Sequence, residues 1–554
     1  MTSACFGTPV VPGIGYAPVL WVHRPAPLPQ DYSPVPTHDL ENEFEHFISA
    51  ASAVSERLME RALATVGEPS DILIMASALA TDPSLKSRVR KLITEQAVPA
   101  PHAVDRAIDA YVDQLRLAGG LLAERSTDLI DIKQRIIAEL NGEPEPGIPP
   151  VDQPSVLFAD DLAPADTAGL EPDLIRAIVT VEGGPTSHTS IIARQLGIPC
   201  IVAARTLASI PAGTRVLVNG RTGKIEPNPD EKRAQALVTA DLQLRHQAQS
   251  WEGPAQTADG HRVQLLVNVQ DPTGAQAGAQ TPAEGIGLFR TELCFLNSSN
   301  EPTIDEQSRL YRDVLEAFPD SKVVIRTLDA GSDKPISWLN LVDDDNPALG
   351  VRGIRTTGLY ADALPHQLDA IAQASEGRDD VWVMAPMVST IAEARWFADM
   401  VRERGLTAGI MVEVPAVAVK ARAFLREVDF VSIGTNDLTQ YVMAADRTNS
   451  HLATYTESWQ PAVLALIHAT AQAGVETGKP VGVCGEAAAD PLLACVLVGM
   501  GVSSLSMARS AIGTVGVAIE SVTYDQCVAA AQAVLDADDC EQAREFANSH
   551  LQLL

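Results

Sequence analysis

The stretch "GGPTSHTSIIARQLGIPC" runs from Gly183 to Cys200 and sets His188 among four hydroxyl side chains, just ahead of an apolar, helix-like run. The Gly-Gly pair permits backbone conformations closed to other residues. Thr186 and Ser187 are natural helix N-caps. The exposed N–H groups of the helix that follows favour an anion. A neutral imidazole near pH 7 is a good nucleophile toward phosphorus, and a phosphoryl group placed on it would meet those N–H groups. The same residues also read as a polar helix start with an incidental histidine, and local sequence does not separate the two.

A second set of chemically able residues lies further along. Asn268, Arg290, Arg326, Glu413, Asn436, Asp437 and Cys484 each fall late in, or just after, an apolar run. Two arginines from neighbouring strands make planar donors for carboxylate or phosphate oxygens. Glu413 and Asp437 are carboxylates of the kind that hold Mg²⁺, with substrate oxygens and water completing the octahedron. Arginines plus a hard cation describe a site for a small, highly anionic, phosphorylated substrate. Each residue has a plainer reading as well. The arginines could be salt-bridge partners at a rim, Glu413 could pair with one of them, and Cys484 could be a small buried hydrophobe. A rim alone, however, does not require a cation pocket, a carboxylate pair and a thiol together.

The elements that must carry these groups follow from pattern. Eight strand-like runs occur from residue 251 onward, at 263–269, 285–292, 322–330, 381–388, 408–415, 430–438, 480–488 and 503–508, most separated by helix-length amphipathic segments. Alternating strands and helices imply right-handed crossovers and a parallel sheet, and eight units of this kind fit a closed (β/α)₈ barrel with its chemistry at the strands' C-terminal ends. Between 155 and 226, short β-rich runs such as "SVLFA" and "AIVTV" alternate with helical segments, as in a small α/β unit. The N-terminal "VVPGIGYAPVLWV" reads as strand and could complete that unit's sheet. Helical spacing at 38–61 and near 70–96, 103–124 and 127–140 indicates a small helical bundle or a pair of helical hairpins, an insertion if the N-terminal strand completes the sheet, closed by the five prolines of "NGEPEPGIPPVDQP" at 141–154. The expected organisation is an α/β domain of residues 1–30 and 146–228, an inserted helical subdomain of 31–145, a connecting helix of 229–252 and a barrel of 253–554.

Length and composition set the outer bounds. At 554 residues the chain exceeds one core, so two to four domains are expected. A net charge of −30 argues against nucleic acid as a partner and is compatible with a basic protein partner. No run reaches the roughly 18 apolar residues of a membrane span, and "MTSACFGTPV" lacks the pattern of an export signal. Seven scattered cysteines without a CxxC pair suit a reducing cytoplasm.

The chain resembles the Enzyme I family of the bacterial sugar phosphotransferase system, the phosphoenolpyruvate–protein phosphotransferases, over nearly its whole length. "GGPTSHTSIIAR" is similar to that family's phosphohistidine signature and "DFVSIGTNDLTQY" (429–441) to its metal-site signature. "GIGLFRTE", "IRTLDAGSDK", "NPALGVRGIR", "IMVEVPA" and "VGVCGEAAADP" resemble its substrate-site segments. The resemblance implies that His188 takes the phosphoryl group from phosphoenolpyruvate, that Arg290, Arg326, Arg352, Asn436 and Arg447 hold substrate oxygens, and that Glu413 and Asp437 ligate Mg²⁺. It further implies that Cys484 protonates the enolate to pyruvate and that Thr167 contacts the histidine. The inserted helices would dock the phosphocarrier protein HPr, and the barrel would form a homodimer. Pro185 departs from the pattern, standing where many relatives carry a basic residue. Two other readings are a dikinase related to pyruvate phosphate dikinase or phosphoenolpyruvate synthase, and a regulatory paralogue without turnover. The first needs a nucleotide-grasping domain for which the roughly 150 residues ahead of the α/β core leave no room.

Overall fold

The computed structural model describes residues 5–22, 28–29, 31–63, 68–118, 126–149, 151–162, 166, 170, 172–184, 187–296, 300–331, 336–339, 344–447 and 449–553. The chain parts into two compact units, Met1–Asp241 and Leu242–Leu554, with the division inside the helix Glu231–Ser250.

In the first unit the N-terminal strands β1 (Cys5–Phe6), β2 (Thr8–Val11) and β3 (Ile14–Trp21) join β4 (Ser155–Ala159), β5 (Ile175–Thr180), β6 (Cys200–Val202), β7 (Arg215–Asn219) and β8 (Lys224–Pro227). They form one sheet in the order β1-β8-β7-β3-β4-β5-β6-β2. β3 is the hinge of that order, parallel to β4 on one side and antiparallel to β7 on the other. The helices Leu40–Leu63, Glu68–Ala80, Pro83–Gln96, Ala100–Ala118 and Ser126–Asn141 therefore leave the sheet after β3 and return to it at β4. They bury a core of their own, in which Phe47, Val54 and Leu58 of the first helix meet Val89, Ile93 and Ile108. The helical pattern near 70–96 is two helices rather than one. Pro83 lacks the N–H that a continuous helix would need, and Asp82 caps the second helix through the amides of Ser84 and Leu85 at 2.8 and 3.1 Å.

In the second unit β9 (Gln264–Val269), β10 (Gly285–Arg290), β11 (Lys322–Arg326), β12 (Val381–Ala385), β13 (Thr407–Val412), β14 (Phe430–Ile433), β15 (Val481–Val483) and β16 (Ser504–Met507) close into a barrel, each parallel to the next. Every strand coincides with one of the eight apolar runs. Strands covered on the outside by helices and packed within must be apolar on both faces, which is why they read as runs rather than as alternation. Closure brings the strand ends together at one rim. Arg290 and Arg326, the last residues of β10 and β11, are direct register partners.

Candidate active site

His188 is the first residue of the helix His188–Leu196, which Ser187 caps by accepting the Ser190 amide at 3.4 Å. Ser190 and Ser187 turn back on the preceding loop: Ser190 Oγ and the Ser187 amide both donate to the Gly184 carbonyl, at 2.7 and 3.0 Å. Gly183 holds a φ of +91°, which the first glycine of the pair permits. Thr189 is buried, and its Oγ1 donates to Asp161 Oδ1 at 3.1 Å, just beyond β4. Ser187, Thr189 and Ser190 thus build a capped helix start, and Thr186 lies outside the described residues. Thr167 and Pro185 lie outside the described residues.

The barrel rim gathers the second set. Arg326 Nη2 donates to Glu292 Oε1 at 2.7 Å, and Nη1 lies 3.2 Å from Asp329 Oδ2. Burial opposes its charge, but Glu292, Asp329 and Glu413 more than offset that, and its pKa is raised. Arg352 is buried in the loop after β11 and forks onto two carboxylates. It reaches Asp329 at 3.0 and 2.9 Å and Asp437 at 3.2 and 3.3 Å. Arg447 approaches Asp437 Oδ2 at 3.6 Å. Arg290 is pushed the other way: burial, and then Arg326, lower its pKa. Two guanidinium groups held side by side at a rim favour an anion between them.

Glu413, one residue past β13, is wholly buried. Its Oε1 accepts the Met387 amide at 2.5 Å, and Met387 adopts a φ of +60°, a strained backbone for a side-chain-bearing residue. Its Oε2 is buried without a hydrogen-bond partner, as are Nε of Arg290 and Nε of Arg326. Burial, with Asp329 and Asp437 nearby, raises the Glu413 pKa to about 8. An orphaned carboxylate oxygen beside a second acid, and orphaned guanidinium N–H groups close by, fit a bound cation together with a bound anion. Among the described residues no set of three or more His, Cys, Asp and Glu side chains could hold a metal ion by itself. Glu413 and Asp437 would serve as two ligands of a shell completed from elsewhere.

Cys484 follows β15 and sits inside the rim, its Sγ donating to the Ile433 carbonyl at 3.6 Å. Burial raises its pKa, while a hydrogen bond from Ser432 and the guanidinium groups of Arg326 and Arg290 pull it down. Asn268 supports the cysteine from below, donating to the Cys484 carbonyl at 3.2 Å and accepting from Ser506 Oγ. Asn436 Oδ1 accepts the Glu486 amide at 3.1 Å, tying the helix after β14 to the loop after β15.

The rim therefore unites Arg290, Arg326, Arg352, Glu413, Asp437, Arg447 and Cys484 in one connected field of charge. Two partners in it were not singled out from the sequence. Asp329 is fully buried between Arg326 and Arg352, and Glu292 holds Arg326. Both lie within the runs "IRTLDAGSDK" and "GIGLFRTE", just beyond an arginine; that closeness was the available signal.

The chain is similar to known proteins along most of its length. The model for the PEP-binding domain of PEP-utilising enzymes matches residues 245–524, that for their mobile domain matches 151–223, and that for their N-terminal domain matches 6–125. A "Phosphoenolpyruvate-protein phosphotransferase" of Streptomyces coelicolor is 47% identical over 93% of this chain and 94% of its own length. One of the same name from Haloferax volcanii is 37% identical over 98% of both chains. A third, from a Bacillus species, is 34% identical over 92% of each. With its barrel, its histidine-bearing sheet unit and this likeness from end to end, the chain belongs to the phosphoenolpyruvate–protein phosphotransferase family, Enzyme I, and is a phosphotransferase.

Proposed function

We propose that the chain moves the phosphoryl group of phosphoenolpyruvate to His188, releases pyruvate, and passes the group on to a histidine of the carrier protein HPr, as the first step of a sugar phosphotransferase system. The observation that carries the reading is the coexistence at one rim of unpaired Arg290 and Arg326 donors with an unpaired Glu413 oxygen. A trianionic substrate and a divalent cation would satisfy all three at once.

In this reading Arg290 and Arg326 grip the phosphoryl oxygens, while Arg352, Asn436 and Arg447 orient the rest of the substrate. Mg²⁺ held by Glu413 and Asp437 would neutralise charge on the phosphoryl and enolate oxygens. The neutral imidazole of His188 attacks phosphorus in line, an N–P bond forms, and the bond from phosphorus to the enol oxygen breaks. The electron pair stays with the enolate, and Cys484 delivers its proton to the methylene carbon to give pyruvate. Burial suits the thiol to this role, because it keeps the proton on sulfur until the enolate forms. At His188 the amides of the helix start would stabilise the phosphoryl group, with Thr167 the proposed partner of the histidine.

The inserted helices, residues 31–145, are the proposed docking surface for HPr, and the barrel the surface for a homodimer. The α/β domain of 1–30 and 146–228, the connecting helix of 229–252 and the barrel of 253–554 divide these tasks. All seven cysteines are free thiols, which supports action in the cytoplasm. No helix among the described residues is long and apolar enough to cross a membrane.

The test is pyruvate release from phosphoenolpyruvate with purified HPr present, compared with and without Mg²⁺. Release that depends on both is expected. Release that needs AMP with phosphate or pyrophosphate as the acceptor, in the absence of HPr, would point to a dikinase instead.

A further inference from the structure

Beneath the rim the barrel is under-filled on one side. Barrels of this kind are ordinarily packed with bulky branched side chains, but here β10, β14, β15 and β16 turn Gly287, Ser432, Gly482, Ser504 and Ser506 inward onto a shared cavity of about 20 Å³. A Cβ on Gly482 would lie 2.7 Å from Ser504 Oγ and 3.8 Å from Ser432 Oγ, and one on Gly287 would strike Ser506 Oγ. The glycines thus make the space and the hydroxyls line it. A water needs about 10–15 Å³ and two to four polar partners, and the cavity offers both.

The cavity joins two groups at different heights in the barrel. Above it, Ser432 forms a hydrogen bond to the thiol of Cys484, which is only 2% exposed. Below it, Lys322 lines the same space as the first residue of β11, the strand that Arg326 ends at the rim. The Lys322 ammonium donates to Gln264 Oε1 at 2.7 Å and lies 4.8 Å from the centre of the Trp382 ring. From this we infer that Cys484 recovers its proton from below. Lys322 gives a proton to a water in the cavity, the water gives one to Ser432, and Ser432 gives one to the thiolate. At each step one bond to hydrogen forms as another breaks. Lys322, left neutral, takes a proton from solvent at the foot of the barrel, where its side chain is partly exposed. The transfer runs downhill: burial pushes the Lys322 pKa down to about 8 against the pull of Glu284, whereas burial holds the Cys484 thiol above its ordinary 9. The inference rests on the reading of Cys484 as proton donor to the enolate.

Because Cys484 starts protonated, the relay matters only after the first turnover. Quenched-flow measurement of pyruvate, with the full chain, phosphoenolpyruvate, Mg²⁺ and excess HPr, separates the first turnover from those that follow. Lys322→Arg keeps the charge beside Trp382 but has no proton to release. Ser504→Val fills the cavity and removes a hydroxyl. Each is expected to form its first pyruvate at the wild-type rate and to slow later turnovers about tenfold or more. The unfolding midpoint is measured for both, and Lys322→Arg, at a partly exposed position, guards against loss of the fold. Later turnovers at the wild-type rate in either folded variant overturn the relay and leave the proposed function standing. So does a first turnover slowed as much as the later ones, which would mark a structural effect. A Cys484→Ala chain that forms its first pyruvate as fast as wild type removes the cysteine's proposed role itself, and the relay with it.

Discussion

Glu413 commits one carboxylate oxygen to the Met387 amide and keeps the other buried and unpaired. Its pKa, about 8, stands above the ordinary 4.5, so between those values the folded chain binds a proton that the unfolded chain does not. Its contribution to stability is present below that window and falls as pH rises through it. Metal-free protein is expected to lose thermal stability from pH 6 to about 8.5, and Glu413→Gln to flatten that loss. Unfolding scans in chelator, followed by addition of Mg²⁺, check this. The cation should stabilise the native chain and leave the variant unmoved. Cys484→Ala removes the proposed proton donor and is expected to slow pyruvate formation about a hundredfold or more without a fall in unfolding midpoint. Arg290, Arg326, Glu413, Asp437 and Cys484 were legible in the sequence because each falls late in, or just after, an apolar run, whereas Arg352 and Arg447 came only from the family resemblance. Asp329 and Glu292 were not, because lying just beyond an arginine in the chain does not by itself say which acid a buried arginine will face. Only the packing of the loop after β11 against the helix after β14 decides that Arg352 bridges Asp329 and Asp437.

At the level of elements, the close approach of the β15 loop to the helix after β14 sets where the thiol sits relative to the carboxylates. A Cβ on Gly485 would lie 1.9 Å from Thr435 Oγ1 and 2.7 Å from the Thr435 amide. Gly485→Ala is expected to force these elements apart, lowering stability by about 1–3 kcal/mol and slowing pyruvate formation beyond what the loss of folded protein explains. Denaturant unfolding and specific activity, measured on one preparation, separate the two effects. The barrel's strands were readable because two-sided burial leaves an unbroken apolar signature. The helical insert was read less sharply. The break at Asp82–Pro83 interrupts a helical pattern without interrupting its apolar spacing, and capping chemistry rather than hydrophobicity marks the boundary.

For the whole molecule, the proposed donor site and the proposed acceptor fall in different units of one chain. The barrel's rim holds cationic donors and an acid with one unpaired oxygen, and the sheet unit offers a histidine at a capped helix start. The acidic surface implied by a charge of −30 fits a basic carrier as the next acceptor, so transfer to HPr is expected to slow as salt rises; stopped-flow transfer rates across a salt series measure this. The central claim is that phosphorus passes from an enol ester to the imidazole of His188. Intact-chain mass spectrometry after incubation with phosphoenolpyruvate and Mg²⁺, with fragmentation to locate the added group, tests it most directly. One acid-labile phosphoryl group at His188, absent from His188→Ala, is the predicted result. A group of the same stoichiometry that persists in His188→Ala would contradict the account.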